Sequence, residues 1–233
     1  MVSRNSFKAR LHSYPLVMLA DKPRLLYIMF SVMAFFLVAT VSYGYLQEAA
    51  AASEISILSS SSFTDDLGDY HIAGEVKNNS PDSMNYVKIV STFYDNAGKV
   101  VGTDFTYTNV DVLRPAEKSS FDIILNDATQ SQKVSSYKLS ASGDKTQALP
   151  TSLKLSFGDS HLDDIGDFHL VGEVTNQGNQ KATFVKVSGA FYNSSNVVVA
   201  ADFTYTDPQD LEPGQTAPFD IIVNALLELL LHQ

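Results

Sequence analysis

From residue 54 onward the chain alternates with period two. Tyr70, Ile72, Gly74 and Val76 fall on one side of the pattern, and His71, Ala73, Glu75 and Lys77 on the other. Val87, Ile89, Ser91 and Phe93 continue it, as do Phe121, Ile123 and Leu125. Such alternation is the signature of strands with one buried face. Turn signals separate the runs: Asn78-Asn79-Ser80-Pro81, Asp95-Asn96-Ala97-Gly98 with Gly98 at a positive-φ position, and Pro213-Gly214 in type II form. The pattern predicts strands at 54–58, 70–77, 84–94, 99–108, 119–125 and near 134–141. Short strands at this spacing predict an all-β protein of the β-sandwich kind.

Upstream the alternation stops. Leu25–Tyr45 reads LLYIMFSVMAFFLVATVSYGY and carries no charge. At a helical rise of about 1.5 Å per residue this run spans roughly 30 Å, the thickness of a bilayer's hydrocarbon core. Tyr27, Tyr43 and Tyr45 stand near its ends, where aromatic rings prefer the interface. Residues 1–24 hold Arg4, Lys8, Arg10, Lys22 and Arg24 against the single acid Asp21. The positive-inside rule therefore predicts a cytoplasmic N-terminus and an extracytoplasmic body. A cleaved signal peptide is the alternative, since Glu48–Ser53 reads EAAAAS and offers small residues for cleavage. Both readings put the body outside the cytoplasm.

Composition narrows the chemistry. The 233 residues contain no cysteine, so disulfides, thiolate metal sites and cysteine nucleophiles are excluded. The net charge is −10, and the acids concentrate in the body, which argues against nucleic acid as a partner.

The body is a duplication. Asp65–Asn126 aligns on Asp163–Asn224 at a constant offset of 98, without gaps, with 27 of 62 positions identical. DDLGDYHIAGEVKN is matched by DDIGDFHLVGEVTN, and LRPAEKSSFDIILN by LEPGQTAPFDIIVN. A repeat of this length is a domain and not a solenoid unit. The expected organisation is a cytoplasmic basic tail (1–24), a transmembrane helix (25–46), a first sandwich (53–142), a linker (143–150) and a second sandwich (151–233) lacking its last strand. Where that strand would fall, the sequence reads ALLELLLHQ at 225–233. This tail stands as a substitute strand or helix, as a segment that docks into another chain, or as the mark of a truncation.

GEVKN, VKIVSTFYDNAGKVV and LRPAEKSSFDI, with their counterparts GEVTN, FVKVSGAFYN and LEPGQTAPFDI, resemble the FxLYD-type domain of bacterial and archaeal envelope proteins. The resemblance implies an immunoglobulin-like β-sandwich in each copy. Its motifs mark strands and turns, and it brings no catalytic residues. Pro213-Gly214 keeps the family's turn, whereas Pro115-Ala116 departs from it.

Candidate chemistry is sparse. Asp65, Asp66 and Asp69, with Asp163, Asp164 and Asp167, could offer oxygens to Ca²⁺ as a cofactor; a solvated turn is the simpler account. His71 and His169 read as outward-facing strand residues. Asn193 and Asn78 head Asn-X-Ser triplets and are candidate glycan carriers. In the repeated DFTYT string (Asp104–Thr108 and Asp202–Thr206), Phe105 and Phe203 read as core residues, and Tyr94 and Tyr192 as contact residues. No nucleophile elbow, zinc-protease, Walker or dinucleotide-binding string is present. The expectation is a non-enzymatic, single-pass envelope protein that contacts another envelope protein, or itself through the open edge of its second domain. A calcium- or ligand-binding accessory protein is the alternative.

Overall fold

The computed structural model describes residues 8–10, 53–148 and 152–223. The hydrophobic segment 25–46 and the tail 225–233 lie outside these residues. Among the described residues, no helix is long and apolar enough to cross a membrane.

The chain is all-β. After β1 (Lys8–Arg10), the first copy of the repeat holds β2 (Ile55–Thr64), β3 (Tyr70–Asn78), β4 (Ser83–Tyr94), β5 (Val100–Tyr107), β6 (Val112–Leu113) and β7 (Lys118–Leu125). A single-turn helix, α1 (Ala128–Ser131), leads into β8 (Ser136–Thr146). The second copy holds β9 (Leu153–Phe157), β10 (His161–Leu162), β11 (Phe168–Asn176), β12 (Lys186–Tyr192), β13 (Val198–Tyr205) and β14 (Thr216–Val223).

All pairing among the described residues is antiparallel. In the first copy one sheet runs β2-β3-β7, and the other is built on β4, which pairs with β5, β6 and β8. Ile72, Val76, Phe121 and Ile123 of one sheet meet Met84, Val87, Ile89 and Phe93 of the other in a buried core. The second copy repeats this with β9 and β10 on β11, β11 on β14, and β12 on β13. Its core joins Leu170, Val174, Phe219 and Ile221 to Val185, Val187 and Phe191. The inward row read from the alternation is therefore the core row in both copies. Gly74 and Gly172 sit in that row because an added Cβ would meet the ring of Phe121 or Phe219 and the carbonyl of Ser59 or Ser156.

Two differences follow from long-range packing. First, the face of β3 that the alternation assigned to solvent is covered. Ala73 and Glu75 are buried, because β12 and β13 of the second copy pack on β2, β3 and β7. Ala73, Ala190 and Val198 form a third apolar cluster there, flanked by Phe63, Tyr192 and Ala201. Second, the edge of β12 equivalent to the β4 edge that β8 covers in the first copy is occupied by β1. Lys8 pairs with Tyr192, Ala9 with Phe191 and Arg10 with Ala190, where in the first copy Ser136, Tyr137 and Lys138 pair with Tyr94, Phe93 and Thr92.

Candidate functional site

The most exposed aromatic chemistry lies at a left-handed residue that both copies share. The ladder from β4 to β8 slips between Asn85 and Lys88, and Tyr86 there adopts φ 48°. Phe184, its counterpart at offset 98, adopts φ 50°. An aromatic residue in the left-handed region is a steric outlier, and its recurrence in both copies marks a retained geometry. Tyr86 and Phe184 are 68% and 72% exposed.

Beside Tyr86 and Phe184 the DFTYT string of each copy adds an aromatic face. Phe105 and Tyr107 stand edge to face with centroids 6.0 Å apart, and Tyr86 meets Tyr107 at 6.5 Å. The Lys88 ammonium lies 3.6 Å from the Phe105 centroid. In the second copy Phe203 and Tyr205 keep the 6.0 Å edge contact, and Lys186 lies 4.9 Å and 5.5 Å from the two rings. Phe105 and Phe203 thus do not fill the core; they are 50% and 42% exposed. The reason is register: Phe105 lies opposite Val90, and Phe203 opposite Ser188, on the outward side of each sheet. Alternation within DFTYT alone gives no phase, since Thr and Tyr flank the Phe. Rings packed edge to face beside a cation and open to solvent suit contact with another surface. Sequence reading missed Tyr86 and Phe184; their only signal was an aromatic residue at the same offset in both copies.

The two predicted contact tyrosines divide. Tyr192 packs against the inter-copy cluster, and its hydroxyl donates to Glu75 Oε1 at 2.7 Å. Glu75 Oε2 accepts from Lys118 Nζ at 2.8 Å, so this buried carboxylate is paired. Tyr94 lies under Lys138, whose ammonium is 5.6 Å from the ring centroid.

The acidic clusters are turn caps. Asp65 Oδ1 accepts from the Leu67 and Asp69 amides at 3.0 and 2.8 Å, and Asp163 Oδ1 does the same for Ile165 and Asp167. Gly68 and Gly166 close these turns at φ 87° and 94°. Asp66, Asp69, Asp164 and Asp167 belong to the same turns. Among the described residues no group of three or more acidic or histidine side chains converges on a point that could hold a metal.

The second oxygen of each cap faces a histidine. His71 Nδ1 lies 2.8 Å from Asp122 Oδ2, and its Nε2 3.5 Å from Asp65 Oδ2. His169 is clamped in the same way by Asp220 at 2.8 Å and Asp163 at 3.6 Å. These rings are therefore not free strand residues. Burial of His71 opposes its charged form, yet the bonds and charges of Asp122 and Asp65 outweigh it and raise the pKa. For His169 the Asp220 hydrogen bond leads the same upward shift. Both ring nitrogens face carboxylates, which favours the imidazolium form.

Asn78 is corrected as a glycan carrier. It is fully buried; its Nδ2 donates to the Asp82 and Leu113 carbonyls at 2.7 and 2.9 Å, and Oδ1 accepts from Ser80 N. A glycan on that nitrogen would replace one of its two donating hydrogens, break that bond and need space that the core fills. Asn176 repeats the arrangement with Gln180, Leu211 and Gly178. Asn193 instead caps its hairpin turn through Oδ1, which accepts from Ser195 and Val197, and not through the amide nitrogen.

No protein-family profile matches the chain, and no curated protein matches it.

Proposed function

We propose that the chain is a non-enzymatic, membrane-anchored envelope protein, its two copies immunoglobulin-like sandwiches of the FxLYD type, held outside the cytoplasm as an interaction module. The observation that carries the interaction role is the exposed aromatic face repeated in both copies, Tyr86-Lys88-Phe105-Tyr107 and Phe184-Lys186-Phe203-Tyr205, each built on a left-handed aromatic residue. Solvent-exposed rings of this size raise the free energy of the isolated surface, and contact with a partner relieves it. The uncharged run Leu25–Tyr45 and its basic flank support the anchor.

The test places a photoreactive phenylalanine analogue at position 86 or 184 in the full chain, in intact envelopes. Discrete adducts are expected at both positions, and not at Leu67, an exposed turn residue 84% accessible. Equal, diffuse labelling at all three positions rejects the reading.

A further inference from the structure

The two copies pack on each other through unlike faces, and this leaves one of each face open. The first copy offers the outer face of β2, β3 and β7; the second offers the outer face of β12 and β13. The bonds across the contact are specific. Tyr192 Oη donates to Glu75 Oε1, Ser120 Oγ meets Ser188 Oγ at 2.7 Å, Ser59 Oγ accepts from Val198 N at 3.0 Å, and Lys186 Nζ donates to Asp111 Oδ1 at 3.0 Å. Ala73, Ala190 and Val198 fill the centre.

The duplication places counterparts of both faces on the outside. On the second copy, β9, β11 and β14 carry Ser156, Val171, Glu173 and Pro218 along an open groove of about 700 Å³. The strand register fixes the equivalence: Ser156 lies opposite Glu173 as Ser59 lies opposite Glu75. Glu173 is exposed where Glu75 is buried. On the first copy, the outer face of β4 and β5 carries Lys88, Val90, Thr92, Tyr94 and Val100, the counterparts of Lys186, Ser188, Ala190, Tyr192 and Val198. Val100 is 51% exposed, whereas Val198 is fully buried.

These two open faces repeat part of the closed pair's chemistry. Val171 and Thr92 stand where Ala73 and Ala190 meet, Gln209 where Asp111 accepts from Lys186, and Thr216 where Lys118 pairs with Glu75. The glutamate and tyrosine of the buried bond recur as Glu173 and Tyr94, and the Ser59 and Val198 of the serine–amide bond recur as Ser156 and Val100. The hydroxyl pair Ser120–Ser188 is replaced on both sides at once, by Pro218 and Val90, so that a polar contact becomes an apolar one. A change on one side alone would bury a lone hydroxyl against an apolar group.

We infer that the β9-β11-β14 face of one chain binds the β4-β5 face of a second copy of this chain, in the geometry by which the second copy of the repeat covers the first. The contact is heterologous, so it propagates head to tail and does not stop at a pair. It deepens the proposed interaction role by naming the partner of the first aromatic face, since Phe105 and Tyr107 lie on the β4-β5 face.

The absence of native cysteine makes the test direct. The full-length chain carrying Thr92→Cys and Val171→Cys is purified in detergent and treated with a short bis-maleimide. Ala73→Cys with Ala190→Cys, the equivalent pair within one chain, is the control and is expected to crosslink intramolecularly. The test pair is expected to give a ladder of dimers, trimers and higher species, and Tyr94→Ala or Glu173→Ala added to it is expected to reduce the ladder at least tenfold. Thr92→Cys alone and Val171→Cys alone are expected to give none. A crosslinked control beside a purely monomeric test pair overturns the inference. So does a dimer from either single cysteine, which would show a symmetric contact. Adducts at position 86 to a different protein, without the ladder, overturn self-assembly while leaving the interaction role standing.

Discussion

At the scale of single residues, the two copies act as controls for each other. Gly214 takes φ 79° after Pro213, the conformation of glycine in a type II turn. Ala116, its counterpart after Pro115, takes φ 64° although it carries a Cβ. The left-handed region costs an L-residue roughly 1–2 kcal/mol. Ala116→Gly is therefore expected to stabilise the chain by about 1 kcal/mol in urea denaturation, after the added entropy of the unfolded glycine is subtracted. The turn itself was legible in the sequence, but its conformation at Ala116 was not, because alanine gives no sign of positive φ. The histidine clamps give a second residue-scale expectation. A histidine whose folded pKa is raised adds stability that is full below its unfolded value of about 6.5 and is lost as pH rises through the folded value. Asp65 and Asp163 are shifted down: burial opposes this, and the turn amides and then the histidines overcome it. Their contribution is present above the ordinary carboxylate value of 3.8 and is lost as pH falls. Thermal stability is thus expected to peak between about pH 4 and 6.5 and to decline toward pH 8. The double variant His71→Gln, His169→Gln is expected to flatten the decline above pH 6.5; an unchanged slope in a melting series would show that the clamps do not set it.

At the scale of elements, the hydrophobic pattern told more about strands than about their surroundings. The rows containing Ile72, Phe93 and Phe121 reach the core because their period matches the pleat, and that information is local. Which outward face stays wet is not local: Ala73 and Glu75 are buried by strands more than 100 residues away in sequence. The same limit explains Asn78, whose triplet reads as a surface motif until the Leu113 carbonyl arrives from β6 to accept its bond. Removing that side chain deletes two donated bonds and one accepted bond at a buried position, so Asn78→Ala and Asn176→Ala are each expected to cost about 2–3 kcal/mol, measured by equilibrium unfolding. Gly74→Ala tests the strand packing from the opposite direction. Its Cβ would collide with the Phe121 ring and with backbone at Ser59, and overpacking of this kind costs typically ~1–3 kcal/mol. The matching Gly172→Ala is expected to behave alike, since Phe219 and Ser156 stand in the same places.

At the scale of the whole molecule, the packing of one copy on the other carries a defined electrostatic cost. Asp202 is half buried near Asp122; burial first and the Asp122 charge second raise its pKa. A carboxylate in that state opposes folding once it ionises, so Asp202→Asn is expected to raise the melting temperature at neutral pH. The aspartate's bond from Phe203 N survives, because asparagine keeps the accepting oxygen. The same change at Asp104, which faces no second copy, is expected to do much less.

The N-terminal strand sets a sharper choice. β1 pairs with β12 over three residues, which puts Lys8–Arg10 beside the body. A single crossing of the bilayer by Leu25–Tyr45 would put them on opposite sides, so the two arrangements exclude one another in one chain. Magnitudes favour the crossing. Leu25–Tyr45 contains ten Leu, Ile, Phe and Val residues. At roughly −0.3 to −0.6 kcal/mol each near the membrane centre, they contribute about −3 to −6 kcal/mol to insertion. A three-residue ladder offers only a few hydrogen bonds, each worth about 1 kcal/mol net. Insertion is therefore expected to vacate the β12 edge and to hold the tail in the cytoplasm. Single-cysteine chains with Ser6→Cys or Ser160→Cys decide this in intact cells, using a maleimide that does not cross membranes. Position 160 is expected to label at once and position 6 only after lysis. Labelling of both from outside would place tail and body on one side, keep β1 on β12, and reduce the hydrophobic segment to a hairpin that enters and leaves the same leaflet.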